Sequence, residues 1–241
     1  IVPMIMGASN EVMLNDALFQ RIKSVYDNLG KMKLDAVQKR VVEKYYRRFA
    51  EQGAALSAEK KEELVKVNNE LSKLFIQYNR NLLKATNDFF IVVYDEKDLA
   101  GLPASSIGTA AEEAKARNLD GLWVFTLHAP SRLPVLQYAD NRDLREKIYM
   151  GYVMRGNNNN ANDNKALIEE MSKLRLQKAQ LLGYEDYASY VLEANMAKDV
   201  PTVDTFLAEL FEPALKVAKE ELKEMEKIAG FDLESWDWWY Y

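Results

Sequence analysis

The feature that most constrains the fold is a helical pattern that runs without interruption from Ser57 to about Asn87. Apolar residues recur in it every three or four positions, which is the period of an amphipathic α-helix. Ser57 is a suitable N-cap, and at 1.5 Å per residue a helix of this length is a rod of about 45 Å. Because long helices bury their apolar stripes against one another, the pattern predicts a helical bundle.

Capping residues predict further helices on both sides of this rod. Asn15 is expected to cap a helix that runs to about Leu29. Asp35 and Gln38 are spaced as a capping box, which predicts a second helix that Gly53 ends. Residues 1–13 contain no clear cap, so we expect a loop there.

The second half of the chain also reads as mostly helical. Residues 141–196 predict a helical hairpin with a third, shorter helix on its exit, and the Asn157–Asn160 run is its loop. Pro201 suits the first turn of a last long helix, which continues to about Ala229 and which Gly230 ends. Ser235 is expected to cap one more turn that carries the final aromatic residues.

Between these helical regions the apolar residues no longer recur at the helical spacing. Phe89–Tyr94 and Gly121–Leu127 are rich in aromatic and β-branched residues, which favours strands. A short helix is expected between them, from about Ser106 to Arg117. The predicted fold class is therefore mainly α: a multi-helix, bundle-like lobe with a small two-stranded β element. We divide it into a long-helix segment (1–87), a small α/β insertion (88–130) and a helical segment (131–241).

Four cations fall on the apolar faces of the predicted hairpin when its helices are drawn at 100° per residue. They are Arg145, Arg155, Arg175 and Lys178. An unpaired charge is expensive to bury, so we expect carboxylate partners for the three arginines and a structural ion-pair network. The alternative is that these cations bind an anionic substrate.

Composition excludes several kinds of chemistry. The formal net charge is −5, which gives no basic surface for nucleic acid. The chain has no cysteine and a single histidine, His128, so thiol catalysis and cysteine-held metals are excluded. No phosphate-binding glycine motif or nucleophile elbow is present. The carboxylates of Glu220, Glu221, Glu224 and Glu226 are expected to form a solvated helix face.

The chain gives no apolar run long enough to cross a membrane and no recognisable signal peptide. A cytoplasmic location is favoured over a periplasmic one, although the sequence does not separate them. The last residues, Trp236 to Tyr241, are nearly all aromatic. We interpret the end of the chain as a cut inside a helix, and the alternative is that these rings fold back onto the core.

Several short motifs, in their order and spacing, carry a resemblance to a known family. They are Leu99-Ala100-Gly101-Leu102-Pro103, Asn141-Arg142-Asp143-Leu144-Arg145-Glu146, Arg155-Gly156, Asp163-Asn164, Leu174-Arg175, Ala179-Gln180-Leu181-Leu182-Gly183-Tyr184, Met196-Ala197 and Trp236-Asp237-Trp238 with Tyr240-Tyr241. Over nearly its whole length the chain resembles the N-terminal part of the zinc-dependent oligopeptidases of the thimet oligopeptidase/neurolysin family, and most closely their dipeptidyl carboxypeptidase branch.

The resemblance implies a mostly helical, two-lobed enzyme whose deep channel admits short peptides. It implies zinc in the other lobe, held by a His-Glu-x-x-His helix and a later glutamate, with a glutamate as general base. This sequence has no such motif, so no catalytic, cofactor-binding or metal-ligating residue is assigned here. We expect no zinc and no turnover in these 241 residues alone; zinc belongs to the full-length parent.

The implied partners are the C-terminal catalytic lobe of the same polypeptide and short peptide substrates, with no nucleic acid and no membrane. The function expected is that of a non-catalytic N-terminal lobe of a peptidase that releases C-terminal dipeptides. One alternative is a free-standing helical module that binds peptides or partner helices. Another is a metal-free hydrolase built on paired carboxylates.

Overall fold

The computed structural model describes residues 2–241, apart from the side chains of Val2, Pro3 and Met6. This part of the chain is mainly helical with one two-stranded sheet, which confirms the predicted fold class. The α-helices are α1 Val2–Met13, α2 Asp16–Asp27, α3 Ala36–Glu51, α4 Ala58–Asp88, α5 Ala104–Ala116, α6 Ala129–Tyr138, α7 Arg142–Val153, α8 Lys165–Leu181, α9 Tyr187–Leu192 and α10 Val200–Ala229. The strands are β1 Phe90–Val93 and β2 Trp123–Thr126.

Contacts divide the chain into two compact units. Unit 1 comprises the described residues up to Gln77 together with Leu167–Asp204, and unit 2 comprises Tyr78–Ala166 and Thr205–Tyr241. Each unit is therefore assembled from two separate stretches of sequence.

Unit 1 begins its helices at the predicted caps. Asn15 Oδ1 accepts a hydrogen bond from the Leu18 backbone N–H at 2.9 Å, and the capping box between Asp35 and Gln38 is complete. Gly53 follows α3 at φ +96°, where a Cβ would come within 2.4 Å of a Leu64 methyl carbon. Only glycine suits such a position, because L residues with side chains avoid positive φ.

The loop prediction is wrong for residues 2–13, since Val2–Met13 form α1, and Ile1 lies outside the described residues. The packing of Met13 explains how a helix forms there without a clear capping residue. Met13 lies against a buried cluster made by Phe19, Phe49 and Ala54. Complete burial of an apolar side chain is worth about 1.5–3 kcal/mol, so even the partial burial of Met13 is comparable to a missing cap of about 1 kcal/mol.

Unit 2 is built on the small sheet. β1 and β2 pair antiparallel, with Phe90 opposite Thr126 and Val93 opposite Trp123. A two-stranded sheet is marginal alone, and here its side chains join a core that α5, α6 and α7 complete. That core contains Val93, Leu99, Leu102, Ala110, Phe125, Leu127, Val135, Leu136, Ala139, Leu144 and Ile148.

Two elements of unit 2 differ from what the sequence analysis gives. Ala129–Tyr138 form α6, a helix that contains Pro130 and Pro134 and that was not predicted. Pro130 lies in the first turn, where its missing N–H is no loss, and the burial of Val135 and Leu136 offsets the hydrogen bond that Pro134 cannot make. Near the chain end, residues 235–240 form turns, and Ser235 caps no helix.

Candidate functional site

Unit 2 contains a cluster of polar side chains around Asp237, which is fully buried. The guanidinium of Arg145 donates to Asp237 Oδ1 at 2.8 Å, and that of Arg142 donates to Oδ2 through Nη2 at 2.8 Å. The Glu234 backbone N–H donates to Oδ2 at 3.1 Å. We call Arg142, Arg145, Asp237 and Tyr240 the Asp237 cluster.

Helix α7 positions the two arginines of this cluster. Asn141 caps α7, since its Oδ1 accepts from the Leu144 backbone N–H at 3.0 Å, and its Nδ2 donates to Asp98 at 2.8 Å. Arg142 and Arg145 are three residues apart, so they project from the same side of the helix. Arg145 is only 1% exposed and also donates to the Ala139 carbonyl at 2.7 Å.

The aromatic end of the chain is held by the same cluster. The Arg145 guanidinium carbon lies 4.1 Å from the centre of the Tyr240 ring, and the Tyr240 hydroxyl donates to Asp140 Oδ1 at 2.8 Å. Arg142 lies over the Phe231 ring at 4.7 Å. Residues 231–241 are therefore fixed to α7 by charge-assisted hydrogen bonds and ring contacts.

Asp237 is held in its charged form. Burial opposes its ionisation, but the hydrogen bonds from Arg142 and Arg145 outweigh that effect and lower the pKa of Asp237. The hydrogen bond to Asp140 raises the pKa of Tyr240, which keeps the phenol neutral. Because the buried guanidinium of Arg145 already has a carboxylate, the cluster fits a structural role better than the binding of an anionic substrate.

Arg155 has different partners from the carboxylate we expected. Its Nε donates to the Tyr152 carbonyl at 2.9 Å and its Nη1 donates to Thr86 Oγ1 at 3.0 Å. Its guanidinium carbon lies 3.7 Å from the centre of the Tyr152 ring, which Arg132 also approaches, at 3.4 Å. Burial lowers the pKa of Arg132, and the nearby charge of Arg155 adds to that effect.

Arg175 and Lys178 lie in unit 1 and contact aromatic rings. Arg175 is exposed, with its guanidinium carbon 5.5 Å from the Tyr187 ring centre. Lys178 Nζ lies 5.8 Å from the Tyr190 ring centre, and burial lowers the pKa of Lys178. Neither cation has a carboxylate within 4.0 Å among the residues that the structure describes.

A second buried polar contact was missed from the sequence. Asn164 is 2% exposed; its Oδ1 accepts from Asn81 Nδ2 at 3.0 Å and its Nδ2 donates to the Tyr78 carbonyl at 3.2 Å. Its backbone N–H donates to the Gly156 carbonyl at 2.7 Å, which closes the Asn-rich loop. The Asp163-Asn164 pair was visible as a motif, but the partners of the Asn164 side chain lie 83 and 86 residues away and leave no local signal.

The side chain of Lys165 also makes hydrogen bonds to this loop. Lys165 Nζ donates to Asn157 and Asn159 at 2.9 Å and to Asp163 Oδ2 at 2.6 Å. The hydrogen bond from Lys165 lowers the pKa of Asp163 to about 2. This surface network fits the predicted loop role of the Asn157–Asn160 run.

The remaining sequence candidates lie apart from these clusters. His128 precedes α6 as its N-cap residue and makes no side-chain capping bond. Glu220, Glu221 and Glu224 are exposed on α10 as expected, whereas Glu226 is half-buried and its Oε1 accepts a hydrogen bond from the Leu233 backbone N–H at 3.4 Å. Within residues 2–241, no three histidine, cysteine or acidic side chains are grouped so that they could hold a metal ion. None of the helices searched there is both long and apolar enough to span a bilayer.

Comparison with known proteins shows what the chain is similar to. Residues 135–241, which contain the Asp237 cluster, match the model of Peptidase family M3. This match covers less than half of the chain. Together with the relatives described next, it confirms the resemblance that the motifs carry over nearly the whole chain.

Relatives extend the M3 similarity over the whole chain. Dipeptidyl carboxypeptidase of Escherichia coli is 33% identical over 97% of this chain, and Oligopeptidase A of the same organism is 34% identical over 100% of it. Saccharolysin of Saccharomyces cerevisiae is 25% identical over 92% of the chain. The aligned parts are 35%, 36% and 31% of those proteins, so the chain spans about a third of the length of these curated relatives.

Proposed function

We propose that this chain is the non-catalytic N-terminal lobe of an M3 oligopeptidase that hydrolyses short peptides in a channel and releases C-terminal dipeptides. The observation that carries the proposal is the M3 match at residues 135–241, with relatives aligned along the rest of the chain. The aligned portion is about a third of each relative, which leaves room for a separate catalytic part.

The zinc of such an enzyme does not fit the residues of this chain. A catalytic zinc site takes three protein ligands, usually histidines with a carboxylate. The sequence has a single histidine and no cysteine, and the described acidic residues form no three-ligand group with it. The proposal therefore places the zinc and its general base in the remainder of the polypeptide.

Helix α10 offers a surface on which that remainder could dock. Phe206, Leu207, Leu210 and Phe211 are all more than half exposed, and their spacing of one, three and four residues puts them on one side of the helix. A contiguous apolar patch of this kind marks an interaction surface. We propose that the catalytic lobe covers it, and that the Asp237 cluster keeps the segment after α10 in place.

The three sequence segments (1–87, 88–130 and 131–241) are proposed as parts of this single lobe, with cytoplasmic residence favoured over periplasmic. The lobe's task would be to form channel wall and to restrict access to short, unfolded peptides. No residue of the described chain needs to act as acid, base or nucleophile for this role.

The test is to express the complete open reading frame that contains this chain and to follow its action on an N-blocked hexapeptide by mass spectrometry. We expect successive loss of C-terminal dipeptides, inhibited by a chelator and restored by zinc. Internal cleavage alone would refute dipeptide release while leaving the peptidase role. A complete reading frame without a His-Glu-x-x-His motif, whose product is inactive, would favour the free-standing binding module.

A further inference from the structure

Unit 1 contains a cavity of about 570 Å³ that none of the interactions above explains. Its walls come from α2, α3 and the stretches that follow α3, α8 and α9. Pockets for small ligands typically range from about 300 to 1,000 Å³, so this one is large enough for a few amino-acid residues.

Negative charge dominates the lining of the cavity. Glu43, Glu51 and Glu193 contribute carboxylates, and Arg47 is the one cation among the described lining residues. The carboxylate of Glu51 is incompletely satisfied: its Oε1 is shielded from solvent and accepts no hydrogen bond from the described residues. Buried acceptors are nearly always paired, so this unpaired oxygen adds to the acidic character of the wall.

The neighbouring groups reinforce that charge. The Tyr184 hydroxyl donates to Glu193 Oε2, which fixes this carboxylate beside the cavity. Burial raises the pKa of Tyr184, and the carboxylates of Glu193 and Glu51 raise it further. Burial likewise raises the pKa of Glu51, an effect that Arg47 opposes and Glu193 increases. A bound cation would relieve this accumulation of acidic groups.

Aromatic rings supply a second reason to expect a cation. Tyr26 and Tyr46 line the cavity as a stacked pair, with ring centres 4.0 Å apart and planes 7° apart. The other face of Tyr46 stacks on Phe19, with ring centres 5.8 Å apart, so Tyr26 is the ring of this pair whose outer face is left for an organic cation such as an ammonium group. A divalent metal fits less well, because it needs several oxygen ligands and the described residues form no such group here.

A basic cavity of about 420 Å³ adjoins the acidic one and shares Arg47 and Glu51 with it. Arg40, Lys44 and Arg48 line this second space, and they follow one another along α3 at intervals of four residues. A ligand that carries an ammonium at one end and a negative group further along would complement both cavities. A short peptide has this distribution of charge.

We propose that unit 1 binds the free amino terminus of a short peptide, with Glu51 and Glu193 as acceptors for its ammonium group beside the stacked tyrosines. The choice of an ammonium rests on the cavity alone, whereas the choice of a peptide rests on the proposed function. The site would select for unblocked peptides at a place distinct from any bond cleavage.

Calorimetry on the 241-residue chain tests this, with tri-alanine, N-acetyl tri-alanine and propylamine as ligands. We expect tri-alanine to bind, acetylation to weaken binding at least about tenfold through loss of charge-assisted hydrogen bonds, and propylamine to bind more weakly because it has no carboxylate for the basic cavity. Equal affinity for the acetylated peptide, or no binding of either peptide, would overturn the proposal. Propylamine binding as tightly as tri-alanine would overturn the peptide part.

Variants locate the site. Glu51→Gln keeps the shape of the side chain and is expected to abolish most of the preference for the free amine. Glu59→Gln, on the exposed first turn of α4, is the matched control and should leave it unchanged. Circular dichroism checks folding, and the ligand series on the unaltered chain decides the question if Glu51→Gln does not fold. Because no hydrolysis is measured, the result is independent of whether the complete protein is a peptidase.

Discussion

Asp237→Asn is expected to destabilise unit 2 far more than any change to an exposed residue nearby. The substitution keeps the shape of the side chain but removes the charge that pairs with Arg145, which is 1% exposed. Where the new NH2 group takes the place of Oδ2, it faces the N–H donors of Arg142 and Glu234, which then have no acceptor there. Breaking a buried ion pair from one side costs about 3–5 kcal/mol.

That loss is large enough to measure directly. For a chain of this size about 3–5 kcal/mol corresponds to a fall in Tm of about 6–20 °C. All four tryptophans lie in unit 2, at positions 123, 236, 238 and 239, so tryptophan fluorescence during urea unfolding follows that unit alone. Circular dichroism follows both units, and a difference between the two signals would show which unit lost stability.

Asp232→Asn is the matched control, because Asp232 is exposed and only five residues away. It should change the free energy of unfolding by no more than about 0.5 kcal/mol. Joint replacement of the buried pair, Arg145→Met with Asp237→Leu, should cost less than the sum of the single changes. If Asp237→Asn unfolds within about 0.5 kcal/mol of the unaltered chain, the reasoning about this cluster is refuted.

Three further expectations concern unit 2. Acidification from pH 7 to pH 2 should narrow the difference in unfolding free energy between the unaltered chain and Asp237→Asn, measured by urea titration. The lowered pKa of Asp237 gives stability that is fully present above the ordinary pKa of 3.8 and is lost as the pH falls through the lowered pKa. A difference that stays constant with pH would contradict this. Gly151→Ala should lower Tm, since a Cβ there would come within 2.4 Å of the Phe89 ring. Gly108→Ala, where the Cβ meets open space, should instead raise stability by about 0.5–1 kcal/mol. If Gly151→Ala proved the more stable of the two variants, the Phe89 ring would have moved aside. Asn164→Ala should cost about 1–3 kcal/mol, because it leaves buried groups around the Asn-rich loop without partners, and hydrogen exchange of the loop amides should rise.

Local chemistry made most of the helices predictable. Asn15 and the Asp35–Gln38 capping box act as expected because a cap involves residues only three positions apart. The helical pattern from Ser57 to Asn87 correctly predicted α4, and the two runs of aromatic and β-branched residues correctly predicted the two strands of the sheet. Each of these signals is complete within a short stretch of sequence.

The misses have a common physical cause, which is that contacts distant in sequence decided the outcome. Helix α6 forms around Pro134 because Val135 and Leu136 enter the core of unit 2. The sequence showed that Arg145 needs a partner, but Asp237 lies 92 residues away and could not be chosen from spacing alone. The expected carboxylate for Arg155 was likewise replaced by Thr86 and an aromatic ring.

The central proposal is that this chain is part of a zinc peptidase and carries none of its catalytic groups. Its most direct test measures bound zinc by mass spectrometry and hydrolysis of a fluorescence-quenched peptide, for this chain and for the product of its complete reading frame side by side. We predict about one zinc and chelator-sensitive cleavage in the longer protein, and neither in the 241-residue chain. Stoichiometric zinc together with peptide cleavage in the 241-residue chain would contradict the claim.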